Sequence, residues 1–376
     1  VLIRNKANSH IVIIFFLLGI GILSGFTCFS AEGTQFQTSF TIQRGAILIN
    51  SNKNYFPSFY LLDTGVSIPI LERKDEADKE EYQKYNNFIL KDLDYSIPFI
   101  PNYQGKIILS DLSDISRKIG LPILGILPVY YPGFEVYMDF GKGKIIWQLI
   151  STQKRVKTKD IFCEKMFFSS ESAMPQIPIT LNNKIAVVAN IDFARNEYII
   201  FPMSFVNERS LIAGDSKFVH FCNKKIIQYF RLKTLRLGNQ KFENLLSVSV
   251  PGEKEISLGI SFWKQFALKM NYEEAEICFL KMNISNEKEW AGTGILLDYY
   301  NDQGWVIGVI ENSSAWQNNL KGGETLIKIN EWDIKSLNAA QITHLLNLPA
   351  GAEVVCVVKD LSNEIKSINL ISQKIL

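Results

Sequence analysis

The chain has 376 residues, 47% apolar and 21% charged, which suits two or three folded domains with sizeable cores. Lys and Arg total 40 and Asp and Glu 38, and without Arg4 and Lys6 the balance is even, so no electrostatic case for nucleic acid arises. Cys28, Cys163, Cys222, Cys278 and Cys356 form no CxxC pair, and His10, His220 and His344 are far apart, which argues against a zinc site or a histidine-dependent triad. No metal or organic cofactor is implied, and disulfides are open without an assignable pairing.

Residues 1–31 read as an export signal. Arg4 and Lys6 precede an apolar run over 11–23, and Ser24, Gly25, Thr27, Ser30 and Ala31 supply small residues for cleavage. The apolar character reaches almost to Phe29, so an uncleaved membrane anchor is the alternative. The context before Cys28 is poor for lipid attachment. The expectation is an exported protein of the periplasm or cell envelope, touching a membrane only through this segment if it is retained.

From residue 36 the pattern turns to β. Apolar segments at 40–42 and 46–49 flank Gly45, and a polar turn at 50–54 leads to Phe59-Tyr60-Leu61-Leu62-Asp63-Thr64-Gly65-Val66-Ser67. A carboxylate at the end of a buried strand is costly unless something stabilises it. Thr64 offers a hydroxyl, and Gly65 a backbone angle or close approach that other residues lack. The plainer reading is a strand ending in a turn. Residues 71–88 are densely charged, a solvated helix or loop. Strands are expected at 88–93, 97–100 and 106–109. A second apolar run, Pro122-Ile123-Leu124-Gly125-Ile126-Leu127, precedes Asp139 and a hairpin whose return strand holds Ile145-Ile146-Trp147.

After a basic linker at 151–160 the same order returns. The run 185–191 ends in Asp192, and 199–202 leads away. Residues 232–238 echo 89–94, Ser257-Leu258-Gly259 echoes Leu124-Gly125, and 269–279 echoes the last hairpin. Gly125 lies 62 residues after Asp63, and Gly259 lies 67 after Asp192. This is a two-fold repeat of roughly 115 residues, mostly β because neither copy has helical periodicity. A third module follows a polar stretch at 283–289, with strands at 306–310, 326–330, 354–358 and 365–371, a short helical turn at 313–320 and a helix at 337–348. Asp139 and Asp298 read as turn residues, and Tyr103, Trp263 and Trp316 as packing.

Two resemblances cover most of the chain. Residues 36–282 resemble the aspartic peptidases of the pepsin and retropepsin type. In that family each lobe ends a strand in Asp-Thr-Gly, and two apolar residues with a glycine cross behind it. Asp63-Thr64-Gly65 with Ile123-Leu124-Gly125 fits one lobe. Asp192-Phe193-Ala194 with Ser257-Leu258-Gly259 forms the other, where Phe193 replaces Thr and Ala194 replaces Gly, so one of the family's two bracing threonines is missing. No glycine-tipped flap is evident over 71–88. Residues 290–372 resemble a PDZ domain in the strand order of bacterial exported proteases, carried by Val309 to Ala315 and by Leu320-Lys321-Gly322-Gly323-Glu324 through Ile329-Asn330.

The resemblance implies mainly β structure: two acid-protease-like β barrels, lobe 1 at 36–150 and lobe 2 at 168–282, then a PDZ-like β-sandwich with two helices at 290–373. It implies an endopeptidase in which Asp63 and Asp192 share a proton and activate a water. Thr64, Gly65, Ser67, Leu124, Gly125 and Gly259 would support the pair. Gly292, Thr293, Gly294 and Ile295 would form a loop for a peptide carboxylate, with Ala340 and His344 on the facing helix. The partners expected are a peptide or protein substrate and peptide C-termini, with no nucleic acid. The alternatives are a non-catalytic peptide-binding protein with a degenerate second motif and a homodimer pairing two Asp63 lobes.

Overall fold

A computed structural model describes residues 35–43, 45–51, 58–72, 89–94, 104–150, 161–168, 174–212, 214–281, 290–300 and 303–376. The chain is mainly β. The signal or anchor segment, most of the charged stretch 71–88, the strand expected at 97–100, Tyr103 and the linker 151–160 lie outside the described residues. Among the described residues no helix is long and apolar enough to cross a membrane.

The chain forms two compact units. One holds the described residues up to Tyr198 together with Leu235–Lys241 and Ile256–Ile284; the other holds Ile199–Thr234, Phe242–Glu255 and Ser285–Leu376. The module boundaries read from sequence do not follow this division, because residues of 168–282 fall in both units. The strands Ile226–Leu237 and Gln240–Val250 each contribute residues to both.

In the first unit the strand Ala46–Asn50 buries four consecutive side chains. Such a run is expected of a strand covered on both faces. It pairs antiparallel with Phe59–Asp63, Leu48 facing Leu61. The opposite edge of Phe59–Asp63 pairs parallel with Ile123–Pro128. Asp63 therefore ends a strand that has neighbours on both sides, which accounts for the apolar run before it. A helix not foreseen from periodicity, Ser113–Ile119, precedes this crossing strand and stops at Gly120, whose φ is 75°. A six-stranded antiparallel array runs Ile161–Lys165, Glu276–Lys281, Phe266–Asn271, Phe134–Asp139, Lys144–Leu149, Gln35–Gln43. The strand Pro175–Leu181 alternates buried and half-buried residues and pairs with Ile185–Ile191, which runs parallel to Ser257–Leu258. The parallel strand–acid–crossing arrangement thus occurs twice, around Asp63 and around Asp192.

In the second unit the hairpin formed by Ser216–Phe221 and the start of Ile226–Leu237 also pairs with Gln303–Ile310, Val219 facing Ile310 and His220 facing Val309. The second edge of Gln303–Ile310 takes Ile295–Tyr300. Thr325–Ile329, Glu353–Lys359 and Ile365–Ile371 complete the C-terminal module around Val306, Leu326, Ile342, Val354 and Leu370. Its two α-helices are Ser314–Gln317 and Ala339–Leu346. The longer one begins at a capping box, in which Gln341 N–H donates to Asn338 Oδ1 and Asn338 N–H to Gln341 Oε1, both 2.9 Å. Asp298 lies within the strand Ile295–Tyr300, opposite Trp305, and not in a turn. Asp139 does begin a turn, accepting Lys142 N–H at 3.0 Å.

Candidate active site

Asp63 and Asp192 are both buried, 8% and 7% exposed, and both belong to the first unit. Each carboxylate accepts the backbone N–H two residues on. Gly65 donates to Asp63 Oδ1 at 2.8 Å and Ala194 to Asp192 Oδ1 at 3.1 Å. Neither Gly65 nor Ala194 has a positive φ, so a left-handed angle is not what selects glycine at 65. A Cβ there would meet the Met174 methyl at 2.8 Å, the end of a flexible side chain, and would touch Asp63 Oδ1 at 3.4 Å. That explains how the second copy carries Ala194 at the matching place.

Thr64 ties the two motifs together across 127 residues. Its hydroxyl donates to the Ile191 carbonyl at 2.6 Å and accepts the Phe193 N–H at 3.2 Å. The residues on either side of Asp192 are thereby fixed to the residue after Asp63. Phe193 makes no reciprocal hydroxyl brace. Its ring is fully buried and meets Phe140 edge-on at 5.9 Å, and Phe140 in turn meets Phe40 at 5.5 Å. Packing of this kind anchors the second loop where a hydroxyl would have bonded.

The crossing strands differ from their expected alignment. Gly125 lies opposite Tyr60, and the residue level with Asp63 is Pro128. In the second copy Leu258 is opposite Ile191 and Asp192 N–H donates to the Leu258 carbonyl at 3.0 Å, so Gly259 comes level with Asp192. Leu124 falls at a register shift between Ile123 and Gly125, which accounts for one of the three positions by which the match is displaced; the other two follow from the pairing of Phe59 with Ile123. Gly125 and Gly259 both admit backbone. A Cβ at 125 would stand 2.8 Å from the Ile70 carbonyl, and one at 259 would overlap the Glu197 carbonyl and lie 2.7 Å from that of Arg195. Ser67 is exposed and makes no hydrogen bond to either carboxylate. Trp263 is buried, with its indole N–H on the Leu258 carbonyl at 2.8 Å; Trp316 is partly exposed against His220.

Burial, then the Asp192 charge, push the Asp63 carboxyl up from 3.8 to about 6, against the lowering effect of the Gly65 N–H and Arg195. Burial also raises Asp192, opposed chiefly by Arg195 and by the Ala194 N–H. Tyr272, stacked on Tyr130 at 4.4 Å, is held well above the ordinary phenol range by burial, by Tyr130 and by the Asp63 charge. A pair of acids raised in this way holds a proton into the weakly acidic range, the property needed for acid and base from one site. Arg195, Tyr130 and Tyr272 were not singled out from sequence. Aligning the two copies residue by residue sets Arg195 against Val66, which is the signal that marks it.

In the C-terminal module Thr293 is fully buried. Its N–H donates to the Leu346 carbonyl at 2.9 Å and its carbonyl accepts the Ala315 N–H at 3.0 Å. Gly294 has φ +89°, and a Cβ there would overlap the Ser313 side chain. Gly292 closes the short strand Ala291–Gly292, paired with Gln373–Lys374, and Ile295 begins the strand opposite Val309. The 292–295 loop is thus fastened to the C-terminal end of the helix Ala339–Leu346, which carries Ala340 at its second position and an exposed His344.

No protein-family model and no curated relative matches the chain. Among solved structures it is similar to the PDZ domain of the carboxy-terminal protease from Vibrio cholerae in complex with a peptide, at 15% identity and TM-score 0.22 over 24% of this chain and 99% of that one. It is similar to the photosystem II D1 C-terminal processing protease at 17% identity and TM-score 0.23, over 24% of this chain and only 25% of that protein's length. Basic 7S globulin from soybean matches at 9% identity and TM-score 0.41, over 66% of this chain and 94% of its own.

Proposed function

We propose that the protein is an exported aspartic-type endopeptidase whose Asp63 and Asp192 share one proton, with a PDZ domain at 290–373 that takes peptide C-termini. The observation that carries this is the Thr64 hydroxyl bridge to both neighbours of Asp192, which joins two buried acids with like backbone partners into one site of one chain. Two adjoining buried carboxylates cannot both ionise easily, and the aspartic-protease dyad is the best-known instance of that behaviour. The charged member takes a proton from a water as its oxygen attacks the scissile carbonyl carbon. The protonated member gives its proton to the carbonyl oxygen. As the resulting diol collapses, the C–N bond breaks, the water-derived proton passes to the amine nitrogen, and a diol proton returns to the acid. One water is consumed, and no covalent enzyme intermediate forms.

Hydrolysis of an unstructured protein substrate is expected at weakly acidic pH and to fall as pH rises through about 6, where Asp63 loses its proton. A pH–rate profile on the purified protein checks this. Peptide binding with no hydrolysis at any pH would instead favour a non-catalytic binding protein, the reading that Phe193 and Ala194 support. For the PDZ domain, a peptide with a free C-terminal carboxylate and an apolar residue two positions before its end should bind. Its C-terminal amide should not; equal binding of the two would remove the carboxylate-loop role of residues 292–295.

A further inference from the structure

Resting on the peptidase reading, we propose that Arg195 is a positioning residue that decides which acid of the pair is charged: it holds Asp192 as the carboxylate that takes the proton from water and leaves Asp63 as the carboxylic acid that protonates the scissile carbonyl.

The two copies hold their acids through like backbone bonds and differ in charge three residues on. Each acid ends a buried strand, and each receives an N–H from two residues on at Oδ1. Three residues after Asp63 stands Val66, half-buried in an apolar cluster with Leu48 and Leu61. Three residues after Asp192 stands Arg195, its Nε 3.6 Å from Asp192 Oδ2, with the two side chains 14% and 9% exposed. Both oxygens of Asp192 therefore face a donor, an N–H at Oδ1 and a cation at Oδ2. Among the described residues Asp63 receives its N–H at Oδ1 only, so its second oxygen is the one able to carry a proton. An opposite charge beside one buried acid favours its ionised form, and that charge disfavours ionisation of the other.

The backbone around Arg195 is held in place. Its carbonyl accepts the Ile260 N–H at 2.6 Å and its N–H donates to the Asp192 carbonyl at 3.4 Å. Gly259 leaves room for the Arg195 and Glu197 carbonyls that any Cβ would exclude. The other titratable groups around the pair do not reverse the assignment. The Glu197 charge acts on Asp192 in the opposite sense, but behind Arg195 and the Ala194 N–H in strength. Tyr272, on the Asp63 side, is kept neutral by burial.

The test is a carboxyl 13C NMR titration of the aspartate-labelled protein, with the pair's signals assigned by their loss in Asp63→Asn and Asp192→Asn. In the wild type the lower step of the pair should belong to Asp192. In Arg195→Gln that step should rise by at least about one pH unit, a tenfold change in proton affinity, while in Arg195→Lys it should stay near its wild-type position. The acidic limb of kcat/KM against pH should move with it. A lower step that belongs to Asp63 in the wild type overturns the proposal even if Arg195→Gln fails to fold, and so does a step that Arg195→Gln leaves in place. A shifted step in a protein with no hydrolysis upholds the charge assignment and overturns the role of Asp192 as base, together with the peptidase reading.

Discussion

Asp63→Asn should lower peptide hydrolysis on the order of a thousandfold or more, and Asp192→Asn should do the same. An amide has nearly the shape of the carboxyl but neither shares the proton nor serves as base. Each acid depends on the other, so the losses are expected not to add in the double variant. The same substitution carries a stability signature. The Asp63 carboxyl is raised in the folded protein from 3.8 to about 6, so between those values the native state binds more protons than the unfolded chain. Its contribution is fully present below pH 3.8 and is lost as pH rises through 6, a change of about 3 kcal/mol. Asp63→Asn has no such titration. Urea unfolding should show a flatter stability profile between pH 4 and 7 for Asp63→Asn than for the wild type. Full activity in Asp192→Asn with an inert Asp63→Asn would instead point to two Asp63 lobes pairing between chains.

Removing the Cys163–Cys278 disulfide should cost about 3–5 kcal/mol of stability. The two cysteines face each other on Ile161–Lys165 and Glu276–Lys281, and the bond closes a loop with a sequence separation of 115. Restricting so long a loop lowers the entropy of the unfolded chain more than a short one would. Among the described residues the strand Ile161–Lys165 is the outermost of its sheet, with one hydrogen-bonded neighbour, so the bond also fixes an edge. Cys356 is buried and its thiol is pushed up to about 12, which leaves it a poor partner for exchange. A reductant should lower the urea midpoint of the wild type and leave a Cys163→Ser/Cys278→Ser protein unchanged. Equal midpoints for wild type and variant would remove this account. A disulfide in the first unit is the kind of bond that the proposed export would permit.

Much of the β architecture was legible because buried strands write themselves as apolar runs. Ala46–Asn50 and the approach to Asp63 are such runs, and Ile365–Ile371 matches its expected bounds residue for residue. The helix Ala339–Leu346 was legible from its apolar spacing and from Pro349 beyond its end. The repeat was legible as order but not as alignment. A register shift at Leu124 is a backbone event with no residue signature; it adds one position to the two set by the Phe59–Ile123 pairing, so Pro128 rather than Gly125 stands level with Asp63. The division of residues 168–282 between two compact units was hidden for a similar reason. Strand pairing between Ser216–Phe221 and Gln303–Ile310 joins segments far apart in the chain, through backbone groups that every residue carries. Phe193 looked like a lost brace. In the fold its backbone N–H still meets Thr64, and its ring finds Phe140. The disulfide was not legible, since cysteine count does not fix pairing.

Asp63 and Asp192 are proposed to form one proton-sharing site within one chain. The most direct measurement is the separation of their nearest carboxyl oxygens in a crystal structure of the protein grown at weakly acidic pH. Direct hydrogen-bond reach, about 2.6–3.2 Å, or a single water bridging the two is the predicted result. Carboxyl oxygens more than about 6 Å apart, beyond the reach of one bridging water, would contradict it.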